Sequence, residues 1–325
     1  MRKTVLLGCT AILVAASGCT SEPEGHALRP PRFVVVTTVS PITDIARNVA
    51  GEGAEVAGIV PEGVDSHTFE PTTATVRQIA EADLIFVNGL ELEEPTVDLA
   101  RTNAPDATPI VALGDEAIDP SDHLYDFSFP RSGGKPNPHL WMSVPFAIDY
   151  AKLIAEQLIE VGPSGGDGFE SRADAYVSEL ERLDQAIRST VQTIPPENRV
   201  LLTYHDSFAY FAKEYGFRVL GAIQPGDFAE PSARDVARLV DQIRATSVPA
   251  IFGSEVFPSP VLEQIARETG VRFEASLRDD DLPGDAGDPE HSYIGLMIFD
   301  VSAMAEALGG DPSTLEKLEA DGIGS

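Results

Sequence analysis

From Phe33 onward, short apolar runs alternate with amphipathic stretches, and that alternation predicts an α/β fold. Phe33 to Thr37 (FVVVT) reads as a buried strand, and Ile42 to Ala50 as a helix closed by Gly51. Glu55 to Val60 is a second strand, followed by the long loop PEGVDSHTFEPTTATV. A helix from Thr73 to Ala82 and a third strand, Asp83 to Asn88, complete a βαβαβ unit. The second half repeats the order with strand Val200 to Leu202, helix Phe208 to Tyr215, strand Arg218 to Ala222, helix Ala233 to Ala245 and strand Ala250 to Gly253. Glu70-Pro71-Thr72 is matched by Glu230-Pro231-Ser232, with Thr72 or Ser232 placed to cap the helix that follows. The pattern therefore predicts two similar lobes, each a small parallel sheet flanked by helices.

A helix over Pro145 to Glu160 completes the first lobe. Between Phe169 and Ile194, Ala173, Tyr176, Leu180, Leu183, Ile187 and Val191 recur at steps of three and four, which predicts one long helix joining the lobes. The expected boundaries are 33–165 for the first lobe, 166–195 for the connecting helix, 196–310 for the second lobe and 311–325 for a flexible tail. A helical connector restricts domain motion more than a flexible linker would. His205 stands at the C-terminal end of a strand, where ligands bind in open α/β sheets, with Asp206 or Ser207 as N-cap of the next helix.

The first eighteen residues differ from the rest. Arg2 and Lys3 precede an apolar segment from Val5 to Ala16, and small residues lead up to Cys19, which is the pattern of a signal peptide over 1–18. Ala16-Ser17-Gly18-Cys19 resembles a bacterial lipobox, which implies cleavage before Cys19, its lipidation, and a tether over 19–32. Cys9 is a poorer match, because cleavage there would leave almost no apolar segment. With Cys9 removed and Cys19 lipidated, no cysteine is left for a disulfide or a thiolate site, so any metal must take N and O ligands. The 52 acidic against 23 basic residues give a net charge of −29, which makes nucleic acid and anionic lipid head groups poor partners.

Of six histidines, His67 lies in a loop of the first lobe, His139 in PNPHLWMS, and His205 opens the second lobe. Their wide separation excludes a local zinc finger or an HExxH helix. The runs SPITDIARNVAGEGAEV, VPEGVDSHTFEPT, EADLIFVNGLELE, NPHLWMS, TYHDSFAYFAKEYGF, AEPSARDVARLVDQI and VLEQIARETGV resemble, in order, the metal-binding substrate-binding lipoproteins of zinc and manganese ABC importers (cluster A-I, the ZnuA/TroA/PsaA-like proteins). That resemblance covers nearly all of Phe33 to Leu308. It implies a metal held between two helix-joined lobes by His67, His139, His205 and an acid from SLRDDDLPG, where Leu277 and Leu282 frame Asp280, with Asp279 and Asp281 as neighbours.

Three neutral imidazoles and one carboxylate suit Zn²⁺, whereas Mn²⁺ prefers more oxygen. Relatives that favour manganese usually present a carboxylate where this chain has His205, so the resemblance points to zinc, with manganese as the alternative. The implied partner is an ABC permease in the cytoplasmic membrane, with the chain lipid-anchored on that membrane's outer face. Departures from the family are a loop, Asp115 to Lys135, holding a single histidine, His123, and Asp300 where Asn is common. His291 fits a surface or supporting residue. Glu70, Trp141, Asp206 and Glu255 are candidates to support the ligands. A zinc-dependent hydrolase would need Glu70 or Glu255 as base and an open coordination position. A surface adhesin or an organic-ligand binder would need a wide cleft instead. Imidazoles of ordinary pKa would release the metal below about pH 6.

Overall fold

A computed structural model describes residues 32–162, 168–224, 231–246, 248–256 and 260–320; the predicted signal peptide, Cys19 and nearly all of the tether lie outside them. The first sheet is built from β1 (Val34–Thr37), β2 (Glu55–Gly58), β3 (Leu84–Val87) and β4 (Ile110–Ala112) in the order β2-β1-β3-β4. The second uses β5 (Val200–Thr203), β6 (Arg218–Ala222), β7 (Ala250–Ser254) and β8 (Arg272–Leu277) in the equivalent order β6-β5-β7-β8. All pairings are parallel. The central strands β3, β5 and β7 are buried along their whole length, which is why they read as unbroken apolar runs. The sequence reading missed β4 and β8. Each is an edge strand, one of three half-buried residues and the other interrupted by Glu274.

Helices α1 (Ser40–Ala50), α2 (Thr73–Ala80), α3 (Glu94–Asn103), α4 (Leu113–Ala117) and α5 (Val144–Val161) wrap the first sheet. Thr72 caps α2 as expected, in a reciprocal box with Thr75. The connector is α6 (Phe169–Thr193), followed by α7 (Ala209–Tyr215), α8 (Ala233–Thr246), α9 (Pro260–Thr269) and α10 (Tyr293–Leu308). Helix α6 buries every position of the predicted stripe and is tied to the first lobe by Arg172, whose guanidinium donates to the carbonyls of Val49 and Ala50 at 3.0 and 2.8 Å. One continuous apolar core runs from Val35 and Phe86 through Tyr176 and Leu180 to Leu201 and Phe252. The core does not divide where the sheets do, so the connector is part of it rather than a tether between bodies. Among the described residues no helix is long and apolar enough to cross a membrane.

Two local expectations change. Helix α7 starts at Ala209 with no side-chain cap, because the Asp206 carboxylate instead accepts from the backbone N–H of Ser128 at 2.9 Å. The expected flexible tail is docked over its first ten residues: Leu315 is fully buried against α6 and α10, and Ser292 Oγ donates to the carbonyl of Ala320. A leucine and a hydrogen bond to the start of α10 hold the segment where composition alone suggested a loose end.

Candidate metal centre

The second sheet delivers its residues by one rule. Each of its strands ends just before a residue of the centre: β5 before His205, β6 before Gln224, β7 before Glu255 and β8 before Asp279. Loops of the first lobe supply the rest. His67 is set by an Asx turn in which Asp65 accepts from the backbone N–H of His67 and the hydroxyl of Thr68, both at 2.9 Å. The loop carrying His139 is held by Asn88, whose side-chain amide donates to the carbonyl of Pro138 at 3.0 Å.

The three imidazoles converge. Their Nε2 atoms stand 3.1 Å (His67 to His139), 3.1 Å (His139 to His205) and 3.2 Å (His67 to His205) apart. Such a triangle is small enough for all three nitrogens to reach one ion at the usual Zn–N distance of about 2.0–2.1 Å, so these residues would hold a small divalent cation. Among the described residues these three form the group able to hold a metal; no carboxylate lies close enough to all of them to join it.

The protons on two rings are pinned by neighbours. Asn137 Oδ1 accepts from the backbone N–H of His139 at 3.0 Å and lies 2.8 Å from its Nδ1. The other end of that amide donates to Asp206 O at 2.6 Å and to the Asp126 carboxylate at 2.9 Å, which fixes its orientation. Gln224 Oε1 lies 2.7 Å from His205 Nδ1. Both Nδ1 atoms are therefore donors, and the two Nε2 atoms face each other 3.1 Å apart as lone pairs. Two lone pairs at that distance repel unless a cation lies between them.

Asn137 does more than orient a ring. It joins His139 of the first lobe to the main chain beside His205 of the second. Neither Asn137 nor Gln224 was foreseen, although Asn137 lies within the PNPHLWMS run, two residues before His139. Of the supports that were foreseen, Trp141 is fully buried, its ring 5.1 Å from that of His139 and its Nε1–H on the carbonyl of Asp279 at 2.8 Å. Asp206 is buried and holds Ser128. Glu255 has a different role from orienting an imidazole: its Oε1 accepts from the successive backbone N–H groups of Asp279, Asp280 and Asp281 at 2.9, 3.0 and 3.1 Å and so builds the acidic loop. Glu70 is exposed, and Thr72 and Thr75 close the cap of α2 without it.

The acidic loop is pulled toward the first lobe. Asp280 accepts from Ser66 twice, from N at 2.9 Å and Oγ at 2.8 Å; Asp281 accepts from Gly63 N at 2.6 Å; His291 Nε2 lies 3.0 Å from Glu62. Asp279 Oδ2 stands 3.6 Å from His205 Nε2 and has no hydrogen-bond partner. His123, in the 115–135 loop, is away from the triad, with a buried Nε2 that has no partner.

Burial sets the charge states. It pushes the imidazoles of His67 and His139 well below the usual histidine range, with His205 adding to both shifts. His205 is lowered by the same cause, opposed by Gln224 and nearby carboxylates. Burial raises Asp279 well above the carboxylate range, and Asp280 to about 8. The expectation of metal loss below about pH 6 therefore changes. The imidazoles are already neutral at pH 7, and their protons compete only in more acid solution. A carboxyl with a pKa of about 8 is protonated at pH 7 and would have to lose its proton to ligate a cation, so metal uptake through Asp280 would release a proton and tighten as pH rises toward about 8. Zinc titration calorimetry at pH 7 in two buffers of different ionisation enthalpy should give release of roughly one proton; net proton uptake would contradict these charge states.

The family profile described as zinc-uptake complex component A, periplasmic (ZnuA) matches residues 35–307. The chain belongs to the ZnuA family. Within it, the chain is 30% identical to the metal ABC transporter substrate-binding lipoprotein FimA of Streptococcus parasanguinis over 91% of this chain and 94% of that protein. It is 28% identical over 91% of its length to the manganese-binding lipoprotein MntA of Halalkalibacterium halodurans, covering 95% of that protein. Among solved structures, the periplasmic zinc-binding protein TroA of Treponema pallidum superposes with a TM-score of 0.77 at 31% identity, over 85% of this chain and 99% of that one. The two-lobed architecture and the family resemblance read from the sequence both hold.

Proposed function

We propose that this ZnuA-family chain is the extracytoplasmic solute-binding component of an ABC importer, taking one Zn²⁺ between its lobes and handing it to a permease in the cytoplasmic membrane. The observation that carries this reading is the pair of Nε2 lone pairs 3.1 Å apart, with their Nδ1 protons committed to Asn137 and Gln224. His67, His139 and His205 are three ligands in this reading. Asp280 is the fourth, exchanging Ser66 for the ion. A specific observation favours Asp279 in that role, namely its unpartnered Oδ2 3.6 Å from His205. Separate Asp279→Asn and Asp280→Asn variants decide between them by which loses more zinc affinity.

Three imidazoles favour zinc over manganese by ligand softness and by the divalent affinity order. The metal is cargo, and catalysis has no part in this reading: Glu70, a candidate base for a hydrolase, is exposed, and Glu255 is occupied by three backbone amides. Lipidation at Cys19 would keep the chain on the outer face of the membrane beside its permease. Metal-stripped mature chain offered equal zinc and manganese should retain one zinc per chain by elemental analysis. Manganese retained against zinc would make this a manganese carrier of the same transporter class, and no retained metal would overturn the capture reading.

A further inference from the structure

Cargo that is captured must also enter and leave, and the rates depend on what lies between the triad and solvent. His139 and His205 are buried, whereas His67 is less so. A cavity of about 270 Å³ has His67 in its wall, together with Phe129, Leu92 and Pro138, and carries Glu91, Glu94 and Lys135. Phe129 lines the same cavity, its ring 5.6 Å from that of His67 and 5.8 Å from that of His139. The three charged residues are exposed, and Lys135 Nζ bridges the two carboxylates, 3.3 Å from Glu91 and 2.7 Å from Glu94.

The position of Glu91 is built. The chain takes left-handed φ values at Gly89, Leu90 and Glu91 (82°, 52° and 62°), and the turn is held where Glu93 accepts from Gly89 N and Asp115 accepts from Leu90 N. This places one carboxylate from the β3–α3 turn and one from the first turn of α3 across from Lys135, which lies in the loop leading to His139.

We infer that this cavity is the path by which the metal reaches His67, and that Lys135, by neutralising Glu91 and Glu94 at its outer end, sets the rate of metal exchange. The inference rests on the capture reading of the triad. A charge at the mouth acts on the ion in transit. It raises or lowers the rates of entry and exit together and leaves the equilibrium nearly unchanged, because the bound ion lies deeper, at the imidazoles. Exposed ion pairs are weak and exchange readily with water, so Lys135 can yield to an arriving cation without unfolding anything.

The test is stopped-flow zinc association with the metal-stripped mature chain, with zinc release into excess chelator measured alongside. Removing one unit charge about 7 Å from a divalent ion changes the rates by about two- to three-fold at physiological ionic strength and about four-fold at about 0.02 M salt. Lys135→Met should therefore speed both association and release by these factors, Lys135→Glu by more, and the Glu91→Gln/Glu94→Gln pair should slow both. All differences should shrink as salt is added, and the dissociation constant should stay within about two-fold of wild type. A structural role for Lys135 would instead move the dissociation constant through release alone and would not respond to salt. Rates that are unchanged at low salt in a chain that still binds zinc would overturn the path and leave the capture reading standing. A wild-type chain that takes up no zinc would overturn both.

Discussion

Replacing His139 by alanine is expected to lower zinc affinity by about a hundred- to a thousand-fold. Four-ligand zinc sites bind with about 10–16 kcal/mol, so one ligand accounts for roughly 3–4 kcal/mol, and each 1.4 kcal/mol is about ten-fold. The metal-free variant should fold, since the substitution removes one of the facing lone pairs as well as a ligand. Zinc should raise the melting temperature of wild type strongly and that of His139→Ala little, as thermal unfolding with and without the metal would show. Zinc affinity within ten-fold of wild type would remove His139 from the ligand set. The corresponding His205→Ala result tests the second lobe's contribution independently.

Trp141→Ala is expected to be the most damaging single change outside the ligands. The indole is fully buried, contacts His139, and reaches across to the second lobe through its bond to the carbonyl of Asp279. Truncating a buried tryptophan costs about 3–5 kcal/mol through lost transfer energy and the cavity left behind, a large share of typical folding stability. The urea midpoint of the metal-free chain should fall accordingly. Because the lost bond also positions the acidic loop, zinc affinity should fall too. Trp141→Phe separates the effects: it keeps most of the packing and loses the Nε1–H, so its stability should lie near wild type while its zinc affinity stays lowered. Full zinc affinity in Trp141→Phe would confine Trp141 to packing.

The chain's local pattern was enough for the central strands, the connecting helix and the paired lobes, because the central strands are buried throughout and show as apolar runs, while the connecting helix buries one stripe whose period shows in the residues themselves. Strand β4 escaped because three half-buried residues are too few to mark a strand, and β8 because Arg272 and Glu274 interrupt its apolar positions. The three histidines were legible through the runs that carry them and through the resemblance those runs support. The partners of those histidines were not. Asn137 and Gln224 are uncharged amides with no periodic signature, and they matter only because folding sets one between His139 and Asp206 and the other beside His205. The docked tail is a similar case, since nothing local to Leu315 says that α6 and α10 leave a place for it.

Residue types and their order along the chain already say what is available to a metal: imidazole nitrogens and carboxylate oxygens, carried on two lobes. Packing brings three Nε2 atoms within 3.2 Å of one another, puts the protons of His139 and His205 on their far nitrogens, and ties Asp280 to Ser66. The difference is one of range. Periodicity and capping are settled by neighbours a few residues apart, whereas the tautomer and charge of a buried group depend on dipoles and dielectric contributed by segments far apart in sequence, which only the packed fold brings together.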